Sequence, residues 1–345
     1  MNKPASGCGR IFMVIVCVLL GLVLTVMIAG TVYAHYLLNL MNRPDGDAQE
    51  TLSQEQIEDI LQEDTVGGGE TTAPVVQEED VDWGEDQGTV IEASDNMVNI
   101  LLIGQDARPG QGRSRSDSMI LVTFNKEKKT ITMTSFLRDM YVQIPGYYQT
   151  KMNAAYALGG MELLDATLEQ NFGVRPDGNV EVNFARFAEV IDLLGGVDME
   201  LRQDEANYIN RETGRNTLNA GMQHLDGEQA LQYSRIRYLD PDADFSRTNR
   251  QRKVITALIE KFRDTKLTTL LGLLDDLLPM ITTDMSNKEI LDLAKDLFPM
   301  LADCTIVSQR VPADGEYYFA TINQMSCIVA DMDAARQLLE ETLRD

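Results

Sequence analysis

Two carboxylates and a set of arginines are candidates for chemistry in this sequence, because each arrives at the end of a short apolar run. From Met97 the chain reads Met97-Val98-Asn99-Ile100-Leu101-Leu102-Ile103-Gly104-Gln105-Asp106-Ala107-Arg108. A Gly/Arg/Ser-rich loop then leads to Arg115-Ser116-Asp117, and two β-rich runs close on Ser135-Phe136-Leu137-Arg138-Asp139. Runs of Ile, Leu, Val and Thr closed by Gly, Asp or Arg are strand-like, and strands deliver their terminal residues to one end of a sheet. A second basic cluster follows far downstream, in Tyr233-Ser234-Arg235-Ile236-Arg237-Tyr238 and from Asp244 to Lys253. In a chain of net charge −24, this much arginine needs anionic partners, supplied by the protein or by a ligand. Asp240, Asp242 and Asp244 are the nearest internal supply and would make a salt-bridged helix start. Arg247, Arg250 and Gln251 stand at i, i+3 and i+4, so a helix points all three at a common ligand. If that helix opens at Thr248, its N-terminal dipole adds to the attraction for phosphate. Arg235 and Arg237, two apart, share a side if their stretch is extended. Together these residues make a polyanion cradle whose natural guest is a diphosphate.

A diphosphate among carboxylates is repelled by roughly 3 kcal/mol for each unit charge at about 5 Å and an effective dielectric near 20. Asp106 and Asp117 are therefore expected to hold Mg²⁺ or Mn²⁺, with phosphate oxygens and water completing the shell. Read alone, Asp106 is also an ordinary turn residue after a strand. Cysteine and histidine offer little else. Of four cysteines, Cys8 and Cys17 lie in or before a long apolar segment, leaving Cys304 and Cys327 as either a disulfide or two packed thiols. There is no CxxC, and His35 and His224 are the only histidines, so neither a zinc site nor a Ser-His-Asp triad is supported. His224 reads as a loop or capping residue.

The elements that position these groups follow from patterning. Ile11 to Ala34 carries no charge, and as a helix would be about 36 Å long, enough to cross a bilayer. This run exceeds the roughly 7–15 apolar residues of a signal peptide, so a retained anchor is expected, with residues 1–10 cytoplasmic and the body outside. Residues 35–95 are acidic and contain Gly67-Gly68-Gly69 and Glu78-Glu79-Asp80, which reads as a solvated tether. Leu52–Gln62 is a short helix within it, with Ser53 and Gln56 in capping-box positions, and Trp83 is taken as a loosely held tether residue. Residues 96–345 form one domain. Strands are expected at 98–104, 118–125, 130–136, 179–183, 197–201, 305–311 and 327–329. Helices are expected at 154–159, 161–172, 184–194, 227–234, 248–264, 269–278, 288–298 and 333–344. Such mixing indicates an α/β or α+β fold, a mostly mixed sheet covered by helices on both faces. Leu267 to Leu301, rich in Leu and Met, packs against the core or lines a groove for a lipid tail. The strong negative charge argues against a nucleic-acid partner.

In order along the chain, the segments from Asn99 to Arg108, Arg115 to Asp117, Leu137 to Asp139, Lys151-Met152-Asn153-Ala154-Ala155-Tyr156, Leu194-Gly195-Gly196-Val197, Arg235 to Arg237 and Asp244 to Lys253 resemble the successive motifs of LytR-CpsA-Psr proteins. The resemblance implies a cell-wall glycopolymer transferase outside a bacterial, Gram-positive membrane. It would join a polymer carried on a polyprenyl diphosphate, such as teichoic acid or capsule, to a peptidoglycan sugar hydroxyl. It further implies that Asp106 and Asp117 hold magnesium, that Arg138, Arg235, Arg237, Arg247 and Gln251 grip the diphosphate, and that Arg115 sits beside the reaction centre, with Arg108 a weaker candidate. Asp106 would also take the proton of the attacking hydroxyl. The rival expectations are a non-catalytic membrane regulator that binds lipid diphosphates and a lipid-diphosphate pyrophosphatase. The sequence departs from the family pattern at Leu137, where a proline usually precedes the arginine, and at Ser246, where glycine usually precedes Arg247.

Overall fold

A computed structural model describes residues 32–44, 53–62, 73–105, 113–240 and 244–344. Asp106, Arg108 and Asp242 lie outside these residues, as does the apolar segment up to residue 31. Among the described residues no helix is long and apolar enough to cross a membrane.

Six strands make the central sheet, in the order β10-β3-β2-β1-β6-β9. They are β1 (Met97–Gln105), β2 (Ser116–Asn125), β3 (Thr130–Phe136), β6 (Gly178–Asn183), β9 (Thr282–Thr283) and β10 (Thr305–Val311). β1 and β3 run antiparallel to β2, while β6 is parallel to β1 and β10 is parallel to β3. The sheet is mixed, as expected. Successive side chains of a strand point to opposite faces, and here both faces are apolar. Met119 and Leu121 join a core with α3 (Asn153–Phe172) and α10 (Met332–Arg344), whereas Ile120 and Val122 join one with α7 (Asp244–Asp264) and α9 (Asn287–Leu301). The result is three layers. A smaller core gathers α4 (Phe184–Leu193), β7 (Val197–Leu201), α5 (Gln203–Thr213), β8 (Gly221–Leu225), α6 (Gly227–Arg235) and one side of α7.

Several expectations are corrected. Val81 and Ile91 are buried, Val75 bridges to Thr321, and the Trp83 ring lies 5.8 Å from that of Tyr141. This end of the expected tether is docked on the domain, because its apolar residues find partners there. The helix α2 (Gln54–Gln62) has its capping box, with Ser53 N donating to Gln56 Oε1 and Gln56 N donating to Ser53 Oγ, and packs Ile57 and Ile60 on the main core. His224 lies in β8 and not in a loop, its Nδ1 2.7 Å from Asp198 Oδ1 across the β7–β8 pair. Cys304 and Cys327 form no disulfide and lie in different cores. The two expected helices before Phe172 are present within α3 and meet at a break at Gly160, whose φ of +66° is not helical.

Candidate functional site

Antiparallel pairing brings the end of β1, the start of β2 and the end of β3 to one edge of the sheet, and β10 ends at the same edge. The pairing of β1 and β2 slips at that edge. Gly104 faces Ser118 and Gln105 faces Ser116, so Asp117 is the extra residue of a bulge. A bulge re-aims a side chain, and here it turns the Asp117 carboxylate onto the Arg138 guanidinium that β3 delivers.

A dense ion cluster grows from this pair. Arg138 Nε is 3.4 Å from Asp139 Oδ2 and 3.9 Å from Asp244 Oδ2. Asp244, the first residue of α7, accepts both arms of Arg237 at 2.9 and 3.0 Å, and Arg247 Nη2 lies 3.3 Å away. Lys151 Nζ is 3.3 Å from Asp139 Oδ1. Four cationic side chains thus meet three carboxylates. Arg138 Nε and Arg247 Nε and Nη2 are buried donors without a hydrogen-bond acceptor. Burial, with Arg138 and Arg237 repelling, pushes the Arg247 guanidinium down to about 10 against the pull of Asp244. Burial raises the Asp139 carboxyl despite Arg138 and Lys151. Asp244 feels the same burial, but Arg247, a hydrogen bond from Asp139, Arg237 and Arg138 outweigh it and hold this carboxyl well below the usual range. The cluster is short of negative charge and presents unsatisfied donors, which is the chemistry of an anion site.

The Lys151–Tyr156 segment braces the edge. Lys151 meets Asp139, Asn153 N donates to the Arg138 carbonyl, and Asn153 Oδ1 accepts from Arg115 Nη1 at 3.0 Å. Arg115 also donates to the Ile60 carbonyl of α2. The Tyr156 hydroxyl donates to Glu181 Oε2 at 2.5 Å, and Glu181 also receives Gln105.

The expected arginine set divides. Arg235 ends α6 and so is not extended with Arg237; its guanidinium lies 5.1 Å over the Phe184 ring. Arg250 turns inward to Glu205, at 2.9 Å, and to Asp240, so it is structural, as the salt-bridged alternative predicted for that residue. α7 begins at Asp244 and not at Thr248, which places Arg247 within the first turn. The sequence reading gives Asp139, Lys151 and Asp244 no site role, although all three stand in the motif segments and Asp244 is counted there as a counter-charge to the arginines.

Gln251 opens onto an apolar cavity of about 230 Å³ between the sheet and α4, α6 and α7, lined also by Leu102, Ile120, Val180, Phe184 and Leu258. Leu267–Leu301 contributes only Ile281 to its lining, because α8 (Leu267–Leu277) and α9 lie outside it. The cavity meets the ionic edge at three points. Ser118 neighbours Asp117, Gln251 shares a helical face with Arg247, and Phe184 carries Arg235.

A sequence profile of the LytR_cpsA_psr family matches residues 65–342. The chain belongs to this family. The polyisoprenyl-teichoic acid–peptidoglycan teichoic acid transferase TagU of Bacillus cereus is 34% identical over 224 residues, 63% of this chain and 69% of TagU. TagT of Bacillus subtilis, of the same descriptive name, is 35% identical over 237 residues, 65% and 72% of the two chains. A solved structure of the LytR-CPS2A-psr family protein YwtF (TagT) with bound octaprenyl pyrophosphate lipid aligns at TM-score 0.57 and 28% identity, covering 76% of this chain and 98% of that one. Against the LytR_cpsA_psr pattern, the departure at Leu137 has a structural use. Its backbone N–H donates to the Val311 carbonyl at 3.2 Å, a bond that proline would forfeit, and Arg138 still reaches Asp117.

Proposed function

We propose that the chain is a membrane-anchored phosphotransferase that moves a glycopolymer from a polyprenyl diphosphate carrier onto a peptidoglycan sugar hydroxyl, on the extracytoplasmic face, with Ile11–Ala34 as its anchor. The observation that carries this reading is the junction of an anion-deficient arginine cluster with an apolar cavity through Gln251, Ser118 and Phe184. A lipid diphosphate has those two parts in that order. The names of TagU and TagT, and the octaprenyl pyrophosphate in the solved relative, agree with it.

Arg138 and Arg247, whose donors lack acceptors, bind the diphosphate with Arg237, while Arg235 and Gln251 hold it where the lipid enters the cavity. The sugar hydroxyl attacks the polymer-side phosphorus as the lipid phosphate leaves, and the guanidiniums stabilise the charge that develops. Arg115, fixed by Asn153, stands beside the reacting group, and Asp106 takes the hydroxyl proton. Asp117 Oδ2 and Ser116 Oγ have no hydrogen-bond partner among the described residues, and the Asp117 side chain is 25% exposed. These hard oxygens suit Mg²⁺ or Mn²⁺. Asp106 and Asp117 would hold the ion. Phosphate oxygens of the substrate and water would complete its shell. When bound, the ion neutralises charge on the phosphate oxygens.

The test supplies labelled lipid-diphosphate glycopolymer and peptidoglycan with Mg²⁺. Asp106→Ala and Arg138→Ala are each expected to lower transfer by about 10²–10³-fold. Unchanged transfer by either sinks the site assignment. Polymer on peptidoglycan supports transfer, whereas free polymer phosphate identifies a pyrophosphatase, and binding without turnover a regulator.

A further inference from the structure

α7 presents a second functional face. Asp244, Arg247 and Gln251 face the ion cluster and the apolar cavity, while Phe245, Asn249 and Arg252, at i, i+4 and i+7, line a separate cavity of about 400 Å³ with Ser246, Ser308 and Arg310. Arg252 is the centre of it. It is 6% exposed, its Nε donates to Ser308 Oγ at 2.5 Å and its Nη1 to Ser135 Oγ at 2.6 Å. No carboxylate among the described residues pairs with it, although a buried guanidinium is costly without a counter-charge. Arg310 stands nearby, its guanidinium 4.5 Å over the Phe245 ring, Nη1 donating to the Pro312 carbonyl at 3.4 Å and Nη2 paired with Asp314. Asp314 is 93% exposed, so its carboxylate compensates weakly. Burial, aided by Arg310, pushes the Arg252 guanidinium down to about 10.

Two guanidiniums against one solvated carboxylate leave a single positive charge, which suits a monoanion. The cavity has room for more than a carboxylate. Phe245, which lines the cavity, stacks on Tyr317 at 4.8 Å and meets Phe319 edge-on at 6.3 Å, two rings beyond the lining itself, and Phe319 is 51% exposed. Such a ledge suits the apolar face of a sugar or polyol. From Arg247 to Arg252 the helix rises only about 7–8 Å, so one chain can reach both faces.

We propose that this cavity binds a phosphodiester within the anionic sugar or polyol chain whose diphosphate occupies the first site, so that the protein grips the polymer at two charges. The proposal rests on the transferase reading for the polymer's identity, and binding itself does not require turnover.

The test uses the full chain in detergent micelles with glycan-free polyprenyl diphosphate filling the first site. Glycerophosphoglycerol is titrated as the diester probe and followed by calorimetry, with N-acetylmuramic acid as the carboxylate comparator. The expected result is saturable diester binding, weakened about tenfold in both Arg252→Gln and Arg310→Gln, with polyprenyl diphosphate affinity unchanged. Arg310→Gln decides the matter if Arg252→Gln does not fold by thermal melting. Absence of saturable binding, equal affinity in the wild type and the folded variants, or tighter binding of N-acetylmuramic acid overturns the proposal. If the wild type fails to bind polyprenyl diphosphate, the transferase reading fails, and the diester titration on the unloaded chain is judged by the same criteria.

Discussion

Arg247 is a buried cation held between two others, with Asp244 as its main compensating carboxylate and Asp117 a lesser one. Such a residue weakens the unliganded fold and strengthens anion binding. Arg247→Met is therefore expected to raise stability without ligand by about 1–2 kcal/mol and to weaken polyprenyl diphosphate binding by tenfold or more. Urea unfolding with and without the lipid checks both signs; a variant destabilised in each condition contradicts the argument. Arginine content already marked Arg138, Arg235, Arg237 and Arg247 in an acidic chain. It did not separate Arg250, which has the same type and the same helical spacing. What separates them is a partner remote in sequence: Glu205 captures Arg250, whereas Arg247 meets Arg138 and Arg237.

Among the elements, α3 carries Asn153 and Tyr156, which brace the site, and breaks at Gly160. Gly160 has φ +66° and ψ −152°, a region open to glycine, and an added Cβ would approach Arg113 Nη1 to 2.5 Å. Gly160→Ala is expected to cost about 1–3 kcal/mol in urea unfolding. An unchanged midpoint would show that the bend has another cause. The break at Gly159-Gly160 was legible in the sequence because glycine pairs interrupt helical periodicity. So were the long strands β1, β2 and β3, whose apolar runs are mostly buried on both faces, and the edge strand β10, which is largely exposed. The short strands β4 (Tyr141–Gln143), β5 (Gln149–Lys151) and β9, and the strands β8 and β11 (Tyr317–Ile322), gave no such signal. Their pairing depends on neighbours brought up by the rest of the chain, and a strand of two or three residues has no period to read.

For the molecule as a whole, a pair of carboxylates, half-buried Asp165 and exposed Asp284, ties the main layer to the β9 edge through the buried Asn179. Asn179 Nδ2 donates to Asp165 Oδ2 at 2.7 Å and to Asp284 Oδ2 at 2.6 Å. Burial, and next the nearby Asp284 charge, raise the Asp165 carboxyl from 3.8 to about 7, against the pull of Asn179. Between these values the folded chain keeps a proton that the unfolded chain has released. Stability therefore falls as pH rises through that window. Asp165→Asn is expected to flatten this decline relative to the wild type, measured by urea unfolding from about pH 4 to 7. Parallel curves for the two proteins would exclude Asp165 as the source.

The sequence by itself determined the mixed α/β class, the long strands, and the acid–arginine composition of a diphosphate site, because these follow from local periodicity and from the need of many arginines for anions. Tertiary structure alone decided which charges meet. The bulge at Asp117 aims it at Arg138, α7 places Asp244 among three arginines, and the cavity forms from β1, β2, β6, α4, α6 and α7, with only Ile281 from the leucine-rich segment. Such meetings depend on long-range packing, where a shift of one residue in register turns a side chain to the other face.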